Sequence, residues 1–250
     1  MTLLHRSLSI LTPIVLLAIW EIAAKTGAID VVFFPAPSAI VAEFFVMVRS
    51  GELLTHTTIS LLRIVIGFSI GTALGMALGL AIGLNKTVAA MFQPLIDLTF
   101  PIPKVGLLPL VIILFGLGEA SKYVIIAISC FYLVVINTVA GVRQIERIYL
   151  DVGRNYHANR MLMFTDVAFP GALPTIMAGV KISMGVSLII IVSAESLAAK
   201  SGIGYLIWTS WQVFQVEKMY VGLLVSALLG LGFTVSLNWI ERKLIPWKRA

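Results

Sequence analysis

Charged side chains are sparse in this chain, so each one inside an apolar run is a candidate for chemistry. Asp97 and Lys104 lie in LIDLTFPIPKVGLLPLVIILFG, Lys181 lies in the apolar run that follows Pro174, and Glu195 closes that run in Val192-Ser193-Ala194-Glu195. An ionisable group at membrane depth marks an ion or substrate path by default, because lipid disfavours its charge. A plainer reading stands beside each. Lys104, Lys181 and Arg63 lie close enough to the end of a span to snorkel, and Glu195 fits an ordinary helix-end carboxylate as well as a gate. Asp97 and Lys104 are seven residues apart, two turns and roughly one face of a regular helix. Pro94, Pro101, Pro103 and Pro109 surround them. Each proline removes a backbone donor, and the freed carbonyls need protein or water beside them, so this segment reads as a broken helix walling a pathway.

Other chemistry has no residues to carry it. Cys130 is the single cysteine, and no His or Cys cluster has ligand spacing, so no metal site is expected. No Ser-His-Asp set suggests hydrolysis. Gly116-Leu-Gly-Glu-Ala-Ser-Lys122 only superficially resembles a phosphate loop, and GxxxxGK[ST] is absent. Any nucleotide must therefore be bound on another chain. No cofactor is expected here, and the chain is expected to be no enzyme.

The elements that position these residues are set by composition. Of 250 residues 59% are hydrophobic and 12% charged, against about 25% charged in soluble domains, and the mean hydropathy is +1.02. These values predict an all-α polytopic bundle in a lipid bilayer, one membrane domain over residues 1–250. Six spans are placed at about 8–25, 59–84, 89–115, 123–142, 173–196 and 219–240. With the N-terminus inside, the inner segments hold Arg6, Lys86, Arg143, Arg147, Arg154, Arg160, Arg242, Lys243, Lys248 and Arg249, and the outer ones Lys25, Arg49, Lys122, Lys200 and Lys218. That asymmetry puts both termini in the cytoplasm. The net charge of +6 thus reflects topology and not a nucleic-acid partner. The first span lacks a small-residue cleavage site after Trp20-Glu21-Ile22 and reads as an uncleaved anchor. After Phe34-Pro-Ala-Pro-Ser38, a short helix capped by Ser38 carries an apolar face of Ile40, Val41, Phe44, Phe45 and Val48.

Gly67, Gly71, Gly75, Gly79 and Gly83 recur at four-residue spacing. On a helix they make a groove of bare backbone for close helix packing, within the subunit or across a dimer. Arg143 to Gly179 forms a long cationic loop between two spans, and loops of that length are commonly functional. Its bulky Met161, Leu162, Met163 and Phe164 need cover, so the loop reads as a docking element at about 143–172.

Several of these motifs together resemble one family. Phe34-Pro-x-Pro-Ser38, His56-xxx-Ser60-Leu-x-Arg63, Ile102-Pro-Lys-Val-Gly-Leu-Leu-Pro-Leu110, Phe115-Gly-x-Gly-Glu119 with Ser121-Lys122, Ala194-Glu195 and Gly202-Ile-Gly-Tyr205 run through most of the chain after about residue 30. They are similar to the permease subunits of binding-protein-dependent ABC importers of the nitrate, sulfonate, taurine and bicarbonate branch. The resemblance implies a type I importer permease fold in a bacterial inner membrane, with two copies forming the pathway. It also implies two ATP-binding subunits carrying ATP and Mg, and an external solute-binding protein.

In such families the loop carries a Glu-Ala-Ala motif, a glycine four residues after the second alanine, and a proline-flanked return, and it sits in a groove of the ATPase. By position, Asp151 stands for the Glu, Val152 and Gly153 for the alanines, and His157 for the glycine; Arg154 matches a frequent Arg, and Arg160 and Phe164 lie on the same loop. Pro170-Gly-Ala-Leu-Pro174 matches the return. The motif glycine suits a turn with positive φ, which His tolerates better than most side chains. The implied function is ATP-driven import of a small anion: a sulfonate, nitrate, bicarbonate or aromatic carboxylate. The alternative is an ion-coupled secondary transporter, which would need midplane carboxylates and often an inverted repeat.

Overall fold

A computed structural model of the chain describes the backbone of residues 3–247 and, within it, all side chains except those of residues 3–7, 9, 10, 150, 154 and 160. The expected side chains of Arg6, Arg154 and Arg160, and Lys248 and Arg249 entirely, lie outside the described residues.

Helix α1 (Leu3–Lys25) is exposed along most of its described length. Its far end is tied down by Glu21, whose carboxylate accepts the backbone N–H of Ser38 at 2.9 Å and its hydroxyl at 2.7 Å. Those bonds correct the expected cap: α2 (Pro37–Ser50) has Ala36 at its N-cap position, and Ser38 works as a donor to a neighbouring helix. An anion at a helix N-terminus satisfies its free N–H groups and its dipole. The inward face of α2, Ile40 and Met47, packs with Leu53, Leu206 and Val221, while Val41, Phe45 and Val48 stay exposed. Gly51 at φ 78° ends α2 and starts α3 (Glu52–Leu84), so the second span begins earlier than expected.

Asn85 closes α3 and caps α4 (Lys86–Thr99), its Oδ1 accepting from the N–H groups of Thr87 at 2.9 Å and Val88 at 3.3 Å. The proline segment then breaks the helix at Phe100–Lys104. A 3₁₀ turn (Val105–Leu107) leads into α5 (Leu108–Phe115). The expected third span is therefore two short helices, and the break removes the shared face foreseen for Asp97 and Lys104. Helix α6 (Glu119–Arg143) follows, then α7 (Arg147–Asn155) and α8 (Arg160–Leu162). From α8 the chain passes through a π-helical turn (Met163–Ala168) directly into α9 (Phe169–Ala198). Pro170 directly follows the π turn, where α-helical pairing resumes. A helix the sequence reading missed, α10 (Ile203–Gln212), lies between α9 and α11 (Val216–Leu244).

Among the described residues, α3, α6, the π turn with α9, and α11 are long and apolar enough to cross a bilayer. They form an all-α membrane bundle, with α4 and α5 as a broken partner. Residue 85, residues 144–168 and residues 245–247 gather at one end, called here the loop end. Residues 26–36, 116–118 and 199–215 lie at the other.

The glycine row faces α6. A β-carbon on Gly67 would lie 2.7 Å from Ile126 Cβ, on Gly75 2.8 Å from the Phe131 carbonyl, on Gly79 2.6 Å from Thr138 Cβ and on Gly83 2.7 Å from Val142 Cβ. On Gly71 it would strike the Ala127 backbone. The pattern passes on to α9, where Gly141 of α6 leaves room for the Ala172 carbonyl and Gly179 of α9 for Asn137. Around these seams lies a core of Ile64, Ile126, Val134, Ile176 and Ile191. Since lipid is as apolar as these side chains, close backbone approach provides the attraction.

Gly71→Ala is expected to destabilise the bundle by about 1–3 kcal/mol through overpacking, while Gly185→Ala, with nothing within 4 Å of its β-carbon, is expected to be neutral or mildly stabilising. Thermal unfolding of the detergent-solubilised protein compares the two; equal midpoints would contradict the close α3–α6 seam.

Candidate functional site

At the end opposite the loop, α3, the end of α9 and the start of α10 meet around one carboxylate, with the start of α6 beside them. Glu195, in the last turn of α9, is 0% exposed. Its Oε1 accepts from Arg63 Nη1 at 2.8 Å and its Oε2 from the Gly204 N–H at 2.9 Å, and the Ser60 hydroxyl lies 2.7 and 2.8 Å from the two oxygens. Ser60 in turn accepts the Ile203 N–H at 2.8 Å. Arg63, 2% exposed, donates from the same Nη1 to the Ser201 carbonyl at 2.7 Å. Its remaining edge forms a bidentate pair with Glu119, Nε to Oε2 at 2.6 Å and Nη2 to Oε1 at 2.5 Å. One planar guanidinium thus joins α3 to the start of α6, the end of α9 and the α9–α10 corner, using the fork geometry that lysine lacks.

Local sequence makes this possible. Ser60 and Arg63 are three residues apart on α3 and share a face. Gly202 takes φ 116°, a conformation closed to most side chains, and a β-carbon there would land on the Glu195 carboxylate. At Gly204 a β-carbon would meet the Val192 backbone and lie 2.9 Å from Glu195 Cβ. The Gly-x-Gly spacing is therefore the space that the carboxylate occupies. His56, one helical turn before Ser60, accepts the Gly202 N–H on Nδ1 at 3.0 Å and stacks on Tyr205 at 6.0 Å. Lys122, also buried, donates to the carbonyls of Leu117 and Gly118 at 2.5 and 2.9 Å, closing the turn between α5 and α6.

The ionisable pathway candidates go to separate places. Glu195 is walled into this clamp, with both oxygens engaged. Lys104 donates to the carbonyls of Thr99, Phe100 and Ile102 at 3.2, 2.7 and 2.9 Å, and its ammonium stands 4.2 Å from the Tyr132 ring centroid. It caps the carbonyls that the proline break releases. Pro103 is exposed beside it, and Asp97, also exposed, accepts from Gln93 at 2.8 Å. Lys181 pairs with Glu241 of α11 near the loop end. Of the clamp residues, sequence reasoning gave a role to Glu195 and only an ambiguous one to Arg63. The available signal was that Arg63, Glu119 and Glu195 carry opposite charges and all fall at span ends on the same predicted side.

At the loop end, α7 lies against the π turn. Gly153 is buried there, and a β-carbon on it would lie 2.7 Å from Met163 Cε. His157 takes φ 54° and turns the chain toward α8, the left-handed geometry expected at its place in the motif. Asn159 caps α8, accepting the Leu162 N–H at 2.8 Å. The Phe164 and Phe169 rings lie 6.1 Å apart in a tilted arrangement, and Pro170 and Pro174 are half-buried at the base of α9. Asp151 is on the exposed side of α7, as are Ile148, Tyr149 and Val152. Among the described residues no group of His, Cys, Asp and Glu is arranged to hold a metal.

Residues 71–247 match the family model of the binding-protein-dependent transport system inner membrane component. The chain belongs to that family. It is 37% identical over 95% of its length to the aliphatic sulfonates transport permease protein SsuC of Escherichia coli, covering 90% of that protein. With the taurine transport system permease protein TauC of the same organism it shares 30% identity over 96% of its length and 90% of the relative. Among solved structures it is similar in fold to a chain of the MetNI methionine ABC transporter, with a TM-score of 0.66 at 16% identity, covering 74% of this chain and 92% of that one. The permease is thus a membrane-spanning transport subunit of an ABC importer, a class that works with an ATPase and a binding protein. Membership also supports the importer reading over the self-sufficient secondary transporter.

Removing Arg63 leaves Glu195 buried without its cation, so Arg63→Ala is expected to cost about 3–5 kcal/mol, read as a large drop in thermal midpoint. Arg63→Lys is not expected to restore it. A second expectation concerns the loop: His157→Gly relieves left-handed strain by up to about 1 kcal/mol, slowing hydrogen exchange over residues 155–160, whereas His157→Val accelerates it.

Proposed function

We propose that two copies of this permease form the pathway of an ATP-driven importer for small organic sulfonates, delivered by an external binding protein. The observation that carries the substrate class is the similarity, over nearly the whole chain, to permeases named for aliphatic sulfonates and for taurine. Both substrate names denote a carbon-bound sulfonate, which narrows the anion classes that the motifs alone leave open. The termini and the 143–172 loop face the cytoplasm in this reading, in keeping with the basic residues of that end.

The loop docks the ATP-binding subunit, which carries ATP and Mg. Asp151, Gly153, Arg154, His157, Arg160 and Phe164 belong to that surface, and Pro170 and Pro174 join it to α9. The continuity of loop, π turn and α9 supports this, because a push on the loop is delivered along a helix to the clamp at the far end. The break at Phe100–Lys104 supports a pathway wall. Its exposed Pro101, Ile102 and Pro103 present non-helical backbone that needs protein or water beside it. Lys104 then shapes the wall by capping its carbonyls, and substrate charge meets other groups.

The reading is tested with the permease, its ATPase and its binding protein reconstituted in proteoliposomes. ATP-dependent uptake of ³⁵S-labelled taurine or a short alkanesulfonate is expected, competed by other sulfonates and unaffected by nitrate, bicarbonate or benzoate. Asp151→Ala combined with Arg154→Ala is expected to lower uptake and binding-protein-stimulated ATP hydrolysis about tenfold, roughly 1.4 kcal/mol of coupling. Transport of a different anion would overturn the substrate class, and normal coupling in the double variant the docking assignment.

A further inference from the structure

The loop carries a concave feature that a simple plug does not need. Between α7, the π turn and the end of α11 lies a cleft of about 610 Å³, within the ~300–1,000 Å³ range of small-molecule pockets. Small residues, Gly153, Ala158 and Gly171, line it beside the larger Tyr149, Tyr156 and Trp247. The two tyrosines are exposed although largely apolar: Tyr156 is 84% and Tyr149 59% exposed. Aromatic walls around a pocket at a protein surface are the usual receptor for an anchoring side chain.

We propose that this cleft is a socket that receives an apolar side chain projecting from the ATP-binding subunit, so that the coupling contact interlocks in both directions. The inference rests on the assignment of the loop as the ATPase-docking surface and adds the direction of insertion and the chemistry of the inserted group. That surface continues directly into the cleft, since Gly153 belongs to both and Val152, next to Asp151, lines the cleft. Two motif positions border the cleft. Gly153, where the motif has alanine, lies against Met163, whose Cε would be 2.7 Å from a β-carbon there. His157 at φ 54° turns the chain directly after Tyr156, which is 84% exposed.

Lipid is the weaker occupant. Helix α6 ends at Arg143, and the last turn of α11 carries Arg242 and Lys243, a basic belt that marks the headgroup level. Most of the lining, Ile145 to Val167, follows Arg143 in the chain and lies beyond that belt. An acid, Asp166, also stands at the cleft, which disfavours an anionic headgroup.

The test uses the assembled permease–ATPase complex in nanodiscs. The chain has one cysteine, Cys130, which is fully buried, so Ala158→Cys places a single reactive thiol in the cleft for a benzophenone photo-crosslinker. Crosslinking is expected to reach the ATPase subunit at an apolar residue identified by mass spectrometry. Ala158→Phe, which fills the cleft, is expected to weaken ATPase binding at least tenfold while the permease keeps its thermal midpoint. Crosslinks to lipid or to a second permease copy alone, or wild-type affinity in Ala158→Phe, would overturn the socket. If the unaltered permease binds no ATPase, the docking assignment fails with it. If it binds ATPase and Asp151→Ala with Arg154→Ala weakens that binding while Ala158→Phe does not, only the socket fails.

Discussion

Arg63, itself buried, bridges three parts of the chain. In a bilayer every buried donor and acceptor must be answered within the protein, and this one guanidinium answers Glu119, Glu195 and the Ser201 carbonyl together. A buried ion pair contributes little net stability over a well-packed apolar replacement, yet is costly to break by halves. Its effect is therefore on geometry. With the guanidinium in place, α3, the start of α6, the end of α9 and the α9–α10 corner have one relative arrangement.

From that anchor the α3–α6–α9 body follows. The glycine row on α3 and Gly141 and Gly179 on the next seam bring backbones within van der Waals reach, so sliding one helix past another would drive β-carbons and carbonyls into each other. The two restraints are complementary: glycines set how close the helices lie, and the clamp sets their register. Helix α9 is then a rod of about 45 Å with the loop after α6 at one end and Glu195 at the other. The π turn joins loop and rod without a hinge, because the helix continues through it.

The broken helix shows the same constraint met differently. Prolines free the carbonyls around Phe100, and Lys104 folds back to bind three of them over the Tyr132 ring. A cation that looked free to meet an anion is occupied by the chain's own backbone. Lys181, paired with Glu241, joins α9 to α11 in the same way. In this permease the Arg63–Glu195 and Lys181–Glu241 pairs join helices, whereas Lys104 serves its own backbone.

Much of this was legible in the residues. Long apolar runs made the all-α membrane class unavoidable, since composition alone decides whether a chain can be solvated by lipid. Glycines at strict four-residue spacing must line one side of a helix, so a close seam followed, although whether its partner lay within the subunit required the structure. The left-handed turn at His157 was readable because a motif position constrains φ locally. What stayed hidden depended on which distant groups meet. Ser38 looked like a local cap and instead donates to Glu21, and Asp97 and Lys104 lost their shared face where the prolines broke the helix. The short α10 escaped because its ten residues are too few for a span. Arg63, Glu119 and Glu195 were each visible as span-end charges, but pairing over such separations in sequence is set by packing in three dimensions. Local patterns determined which elements form and which faces they offer; only the tertiary structure decided which charges find each other, because in lipid that choice falls to whatever neighbour the packing brings within hydrogen-bond reach.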